Sequence, residues 1–151
     1  MAGDLLACIR RTLRERDALL IGHDLIKPEH EMLMAYDDPL QVTAAFNRNL
    51  LRRINDELGG TFDLAGFAHR AVWNGIERRV EMHLVSRRCQ HVRIAAGSFE
   101  LTLDPDEYIW TESSYKYEAS QALEEGLIAG FASGEQWLDP DARFVLTRLT
   151  V

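Results

Sequence analysis

Apolar positions along this chain change period several times, and those changes outline the elements. Residues 4–15 set Leu5, Leu6, Ile9 and Leu13 at helical spacing among Arg and Glu. Ala18-Leu19-Leu20-Ile21-Gly22 follows, a short continuous apolar run. Such a run predicts a strand buried on both faces, one arm of a βαβ unit with parallel neighbours. A short helix is expected from Pro28 to Tyr36. Asp38-Pro39-Leu40-Gln41 then reads as a second helix start, with Asp38 as N-cap and Pro39 at the first helical position. That helix carries Phe46, Leu50, Leu51, Ile54 and Leu58 on one side, and Gly59-Gly60 ends it. Asn47 falls beside the apolar stripe, where a buried, hydrogen-bonded structural amide is the favoured reading over ligand contact.

From Phe67 to Tyr117 the period shortens to that of an antiparallel sheet. Strands are expected at 67–73, 79–87, 91–94, 99–103 and 107–117, with turns at Asn74-Gly75, Ala96-Gly97 and Pro105. A helix over Ala119–Phe131 and two strands, 136–138 and 143–151, around Asp139-Pro140-Asp141 complete the chain. The first and last parts can then share one sheet, with residues 27–116 forming a second lobe between them.

Composition narrows the classes. The 151 residues are 46% hydrophobic and 27% charged, ordinary values for a soluble globular protein. A net charge of −7 argues against non-specific nucleic-acid binding, and the arginine pairs, mostly flanked by acids, read as solvated faces. Two cysteines, Cys8 and Cys89, in separate segments without metal-ligand spacing fit a reducing cytoplasm. No apolar stretch approaches the length of a membrane span.

Candidate chemistry concentrates in Thr111-Glu112-Ser113-Ser114-Tyr115-Lys116-Tyr117. In an extended segment Trp110, Glu112, Ser114 and Lys116 share one side, a plausible floor for a small polar ligand. The plain alternative for Glu112 is a rim carboxylate paired with Lys116. His69 and His83 could face one another across strands, but no third ligand has suitable spacing and no metal site is expected. His23-Asp24 is a weak candidate for a dyad because adjacent residues seldom face each other. Ser113 lacks the Gly-x-Ser-x-Gly turn of a hydrolase. A glycine-rich turn opening a helix, the usual cofactor cradle, is absent from the sequence.

Taken together, several segments resemble the histidine-specific N-methyltransferases that use S-adenosylmethionine in ergothioneine synthesis. They are Leu19-Leu20-Ile21-Gly22, Asp24-Leu25-Ile26-Lys27-Pro28, Ala35-Tyr36-Asp37-Asp38, Val42 to Asn49, Ile54 to Leu58, Ala71-Val72-Trp73-Asn74, Ile76 to Leu84 and Thr111 to Tyr117. They occur in the family's order across nearly the whole chain.

The resemblance implies an α/β fold: the last three strands of a Rossmann-like methyltransferase sheet, with an inserted α+β substrate-binding lobe. Residues 1–26 and 117–151 would form the partial methyltransferase domain and 27–116 the lobe. By the same resemblance Tyr36 holds the amino acid end of histidine, Met82 packs on the imidazole, and Glu112 and Ser114 bond its ring nitrogens. The family's S-adenosylmethionine loop, its acidic ribose-binding residue and an asparagine facing the substrate would lie upstream of Met1. The expectation is therefore a part that binds histidine weakly and catalyses nothing alone. It would be completed by an N-terminal polypeptide, or pair with a second copy through the strand at Ala18 to Gly22. The competing expectations are a non-catalytic histidine- or amine-binding module and a truncated remnant.

Overall fold

The computed structural model describes residues 2–141 and 143–151. In chain order its elements are α1 (Ala2–Thr12), β1 (Ala18–Asp24), α2 (Glu29–Tyr36), α3 (Val42–Leu58), β2 (Phe67–Asn74), β3 (Arg79–Ser86), β4 (Gln90–Ile94) and β5 (Phe99–Leu103). They continue with β6 (Tyr108–Tyr115), α4 (Ala119–Ile128), β7 (Ser133–Leu138) and β8 (Phe144–Thr150). The chain is a mixed α/β structure with antiparallel sheets. It divides into two compact units, Met1–Lys27 with Tyr115–Val151, and Pro28–Ser114.

In the first unit the strand order is β1-β8-β7. β1 runs antiparallel to β8, Leu19 opposite Leu149 and His23 opposite Val145. The parallel neighbour expected for this strand is therefore not the one it pairs with. Nor is β1 buried on both faces. Leu19, Ile21 and His23 turn inward, whereas Ala18, Leu20 and Gly22 are exposed, Leu20 by 58%. A continuous apolar run cannot distinguish a strand covered on two sides from one covered on one. The inner face packs Leu6, Phe131 and Leu149 together, with Leu25, Ala122 and Val145 alongside. Gly126 makes this close approach possible, since a Cβ there would stand 2.6 Å from Leu149.

The second unit sets α2 and α3 on a sheet of order β2-β3-β6, with β4 and β5 as a separate hairpin. The single antiparallel sheet expected over 67–117 is thus two. The register Phe67↔Ser86, His69↔Leu84, Ala71↔Met82 puts these residues on the face shared with Val80, Met82 and Leu84, all three buried. The core beneath joins Leu51, Phe62, Phe67, Leu84, Val92 and Leu103. Fully burying a side chain such as Leu51 or Phe67 contributes about 1.5–3 kcal/mol.

Helix α3 begins at Val42, three residues later than Pro39. The N-cap is Gln41, in the left-handed region, rather than Asp38, whose carboxylate nonetheless accepts from the Val42 and Thr43 N–H groups at 3.1 and 2.8 Å. Between them, residues 38–41 form a turn closed by Gln41 N–H to the Asp38 carbonyl. The buried stripe is Ala44, Asn47 and Leu51, with Ile54 half-buried. Phe46 is 68% exposed and Leu50 43%, so neither belongs to the core stripe the periodicity suggested.

Candidate functional site

Asn47 organises one end of the second unit. Its side-chain N–H donates to His69 Nδ1 at 3.0 Å and reaches the His83 carbonyl at 3.4 Å. His69 Nε2–H in turn donates to the Tyr36 carbonyl at 2.7 Å. The Asn47 donor at Nδ1 and the Tyr36 carbonyl at Nε2 together suit the Nε2–H tautomer of His69. The imidazole thereby ties the C-terminal end of α2 to β2, and α3 holds it from the other side. Asn47 is a buried, satisfied amide, as its position beside the apolar stripe suggested.

Tyr36 and Ser114 meet directly: the phenol O–H donates to Ser114 Oγ at 2.6 Å. Met82 and Glu112 come together elsewhere. They line a cleft of about 230 Å³ with Phe46, Asn47, Leu50 and Thr111, and Arg53 and Asn49 border it. The four predicted residues therefore fall into two pairs, linked because Glu112 and Ser114 stand two apart on β6. Thr111 braces the cleft floor by donating its hydroxyl to the Met82 carbonyl at 2.8 Å. A mostly apolar hollow with a few polar groups suits a small ligand, below the roughly 300–1,000 Å³ that larger organic ligands fill.

Sequence reasoning overlooked the outward turn of Phe46 and Leu50. The signal was available: Phe46, Leu50 and Arg53 recur at helical spacing one position away from the Ala44-Asn47-Leu51 stripe.

Of the residues expected to form a polar floor, Trp110, Glu112 and Ser114 lie on β6, whereas Lys116 falls beyond the strand. β6 ends at Tyr115, and Lys116 lies in the first unit, its ammonium bonded to Asp24 at 2.7 Å. Asp24 bridges Lys116 and Lys27 within the first unit. These lysines hold the Asp24 carboxyl below its usual range even though burial pushes it up. That engagement also removes Asp24 from any dyad with His23, whose ring instead packs edge-on against Tyr117 at 4.7 Å.

His69 and His83 do not face each other. His69 pairs with Leu84 and His83 with Arg70, so the two rings lie on opposite faces of the sheet. His83 joins a network on the outer face. Its Nε2–H donates to Glu81 at 3.1 Å, and Arg79 and Asn74 donate to the same carboxylate at 2.8 and 3.1 Å. Burial pushes the Glu81 carboxyl up, and these three donors outweigh it and hold it low. Burial likewise holds His83 below the ordinary histidine range, with Glu81 opposing. Among the described residues no group of three or more His, Cys, Asp or Glu is placed to hold a metal ion, and no helix is long and apolar enough to cross a membrane.

Comparison with known proteins gives a consistent result. The family model for histidine-specific, S-adenosylmethionine-dependent methyltransferases matches residues 1–151. A histidine N-alpha-methyltransferase of Mycolicibacterium smegmatis is 42% identical over 144 residues, covering 95% of this chain and 45% of that protein. Its namesake in Mycobacterium tuberculosis is 39% identical over 142 residues, covering 94% and 44%. Ergothioneine biosynthesis protein 1 of Schizosaccharomyces pombe is 25% identical over 154 residues, covering 97% and 19%. The chain spans less than half the length of these curated relatives.

Proposed function

The chain belongs to the histidine-specific, S-adenosylmethionine-dependent methyltransferase family, and from that premise we propose that it is the C-terminal, substrate-gripping part of a histidine Nα-methyltransferase. The observation that carries this reading is the cleft where Met82 and Glu112 meet, two residues from the Tyr36–Ser114 hydrogen bond. An imidazole has one N–H, one bare nitrogen and two apolar faces. Glu112 can accept from the N–H, Ser114 can meet the other nitrogen, and Met82 and Phe46 can cover the ring. A carboxylate bonded to a polarised N–H is among the stronger hydrogen bonds, about 1.5–3 kcal/mol. Tyr36 would then hold the amino acid end, so that the α-amine is presented in one orientation. Orientation of this kind is a large part of what an enzyme supplies to a bimolecular transfer, up to about 7–11 kcal/mol.

The family's methyl donor is S-adenosylmethionine, and the described residues do not fit it. Gly22, the glycine of the β1 apolar run, is covered by Phe144, whose ring a Cβ would meet at 2.3 Å. Gly126 and Gly134 are filled in the same way by Leu149 and Leu123. These glycines serve packing rather than a nucleotide cradle. No step of methyl transfer is therefore assigned to these residues; donor binding falls to sequence matching the rest of the relatives' length. On this reading β1-β8-β7 represents the last three strands of a Rossmann-like sheet. A complementing N-terminal polypeptide, or a second copy, pairs along the β1 edge, and the protein works in the cytoplasm.

The test is mass spectrometry of the purified chain incubated with S-adenosylmethionine and L-histidine, with and without a polypeptide matching the N-terminal share of the relatives. Methylated histidine only with the added polypeptide supports the reading. Methylation by the chain alone overturns the assignment of donor binding elsewhere. No methylation in either case, with L-histidine still bound, favours a non-catalytic binding module.

A further inference from the structure

Trp110 stands two residues before Glu112, and regular pleating would put both on one face. Exposure alternates regularly along β6 from Tyr108 to Glu112. Trp110 joins the outer network, with the Arg79 guanidinium carbon 4.4 Å from its ring centroid and the His83 ring edge-on at 6.2 Å. Thr111 and Glu112, although consecutive, both line the cleft with Met82 and Asn47. Within β6 the indole Nε1–H donates to the Glu112 carbonyl oxygen at 2.9 Å. The indole is itself restrained: Arg79, which lies over it, is anchored by Glu81, and Glu81 is anchored by Asn74 and His83. A cation over an indole face is a favourable arrangement with a preferred geometry, and Trp is the best partner for it.

We propose that Trp110, clamped under Arg79, is a positioning residue that fixes the backbone at Glu112 and so aims its carboxylate at the substrate's imidazole. The proposal rests on the reading of Glu112 given above and adds the groups behind it. A carboxylate on an edge strand has several rotatable bonds and a backbone free to twist. Tying its carbonyl to a rigid, stacked ring removes the backbone part of that freedom, which is what a precise binding group needs.

W110F keeps a ring beneath Arg79 and deletes only the indole donor, whereas R79Q deletes the cation. Two measurements on the full chain separate the outcomes: hydrogen exchange of the Trp110 indole N–H by NMR, and titration with L-histidine and with L-alanine. The indole N–H is expected to exchange at least about tenfold more slowly in the wild type than in R79Q. W110F is expected to weaken L-histidine about three- to tenfold, the loss of one hydrogen bond. Its affinity for L-alanine, which has no ring to align, and its melting temperature should stay unchanged. Equal indole exchange in wild type and R79Q overturns the proposal. So does W110F binding L-histidine normally, or losing both ligands alike. A wild-type chain that binds no L-histidine overturns the functional reading together with this one; normal wild-type binding with an indifferent W110F overturns this one alone.

Discussion

The phenol of Tyr36 donates to Ser114 Oγ across 2.6 Å, joining the last residue of α2 to the end of β6. Two side chains 78 positions apart thereby set each other's rotamers. Y36F removes the donor and leaves the packing, so Ser114 Oγ loses this hydrogen bond. L-histidine affinity should fall about three- to tenfold with little change in stability, as expected for one neutral hydrogen bond. Isothermal titration checks this; unchanged affinity would separate Tyr36 from substrate binding.

Glu112 carries a larger expectation because its proposed bond to the imidazole would be charge-assisted. E112Q keeps the shape and removes the charge, and should weaken L-histidine by at least about tenfold. E112A should lose imidazole selectivity as well, measured as the ratio of L-histidine to L-phenylalanine affinity. A ratio that stays at the wild-type value in E112A would sink the assignment of ring recognition to this residue.

His69 gives a test of the tautomer. A glutamine amide can place its N–H where Nε2–H lies, so H69Q should keep the bond to the Tyr36 carbonyl. Phenylalanine cannot. H69F leaves the Asn47 amide and the Tyr36 carbonyl without this partner, and should cost about 1–3 kcal/mol in urea denaturation. H69Q should cost clearly less. Equal losses would mean that ring volume, rather than the Nε2–H bond, holds this corner.

Acid should unfold the second unit's outer network. Burial holds His83 below its ordinary 6.5, and the donors from Arg79, Asn74 and His83 hold Glu81 below 4.5 against the opposing effect of burial. At both sites the unfolded chain takes up protons that the folded chain resists, so stability falls as pH falls. The His83 contribution starts to be lost near pH 6.5 and the Glu81 contribution near pH 4.5, each continuing down to the lowered folded value. Urea midpoints from pH 7 to pH 3.5 should show this decline. H83Q should flatten its upper part and E81Q its lower part. An acid limb equally steep in both variants would place the titrating groups elsewhere.

Much of the architecture was legible in the chain. Helices α2 and α4 and strands β2, β3 and β5 follow directly from period and turn residues, because local propensity and burial agree there. The failures are equally physical. The β1 run reads as buried twice over because Leu20 is as apolar as Leu19 and Ile21, and composition does not say which face is covered. Phe46 and Leu50 were read as core because the apolar pattern on α3 is wider than its buried stripe. Lys116 reads as part of the β6 strand because the alternation in the sequence continues past Tyr115, where the strand stops. The clamp on Trp110 was not legible by pattern, since it depends on Arg79, 31 positions earlier in the sequence.

The outer side of β1-β8-β7 carries Leu20, Phe144 and Trp137, exposed by 58, 45 and 44%, with the Phe144 ring lying over Gly22. Whatever associates with that surface binds the folded state and has nothing equivalent to bind in the unfolded chain. The melting temperature of this chain should therefore not be a constant of the molecule. It should climb with protein concentration as mass action fills the surface, by RT ln(1 + [L]/Kd) in free energy. Calorimetric scans of one preparation at several dilutions would expose that dependence before any associating species had been isolated.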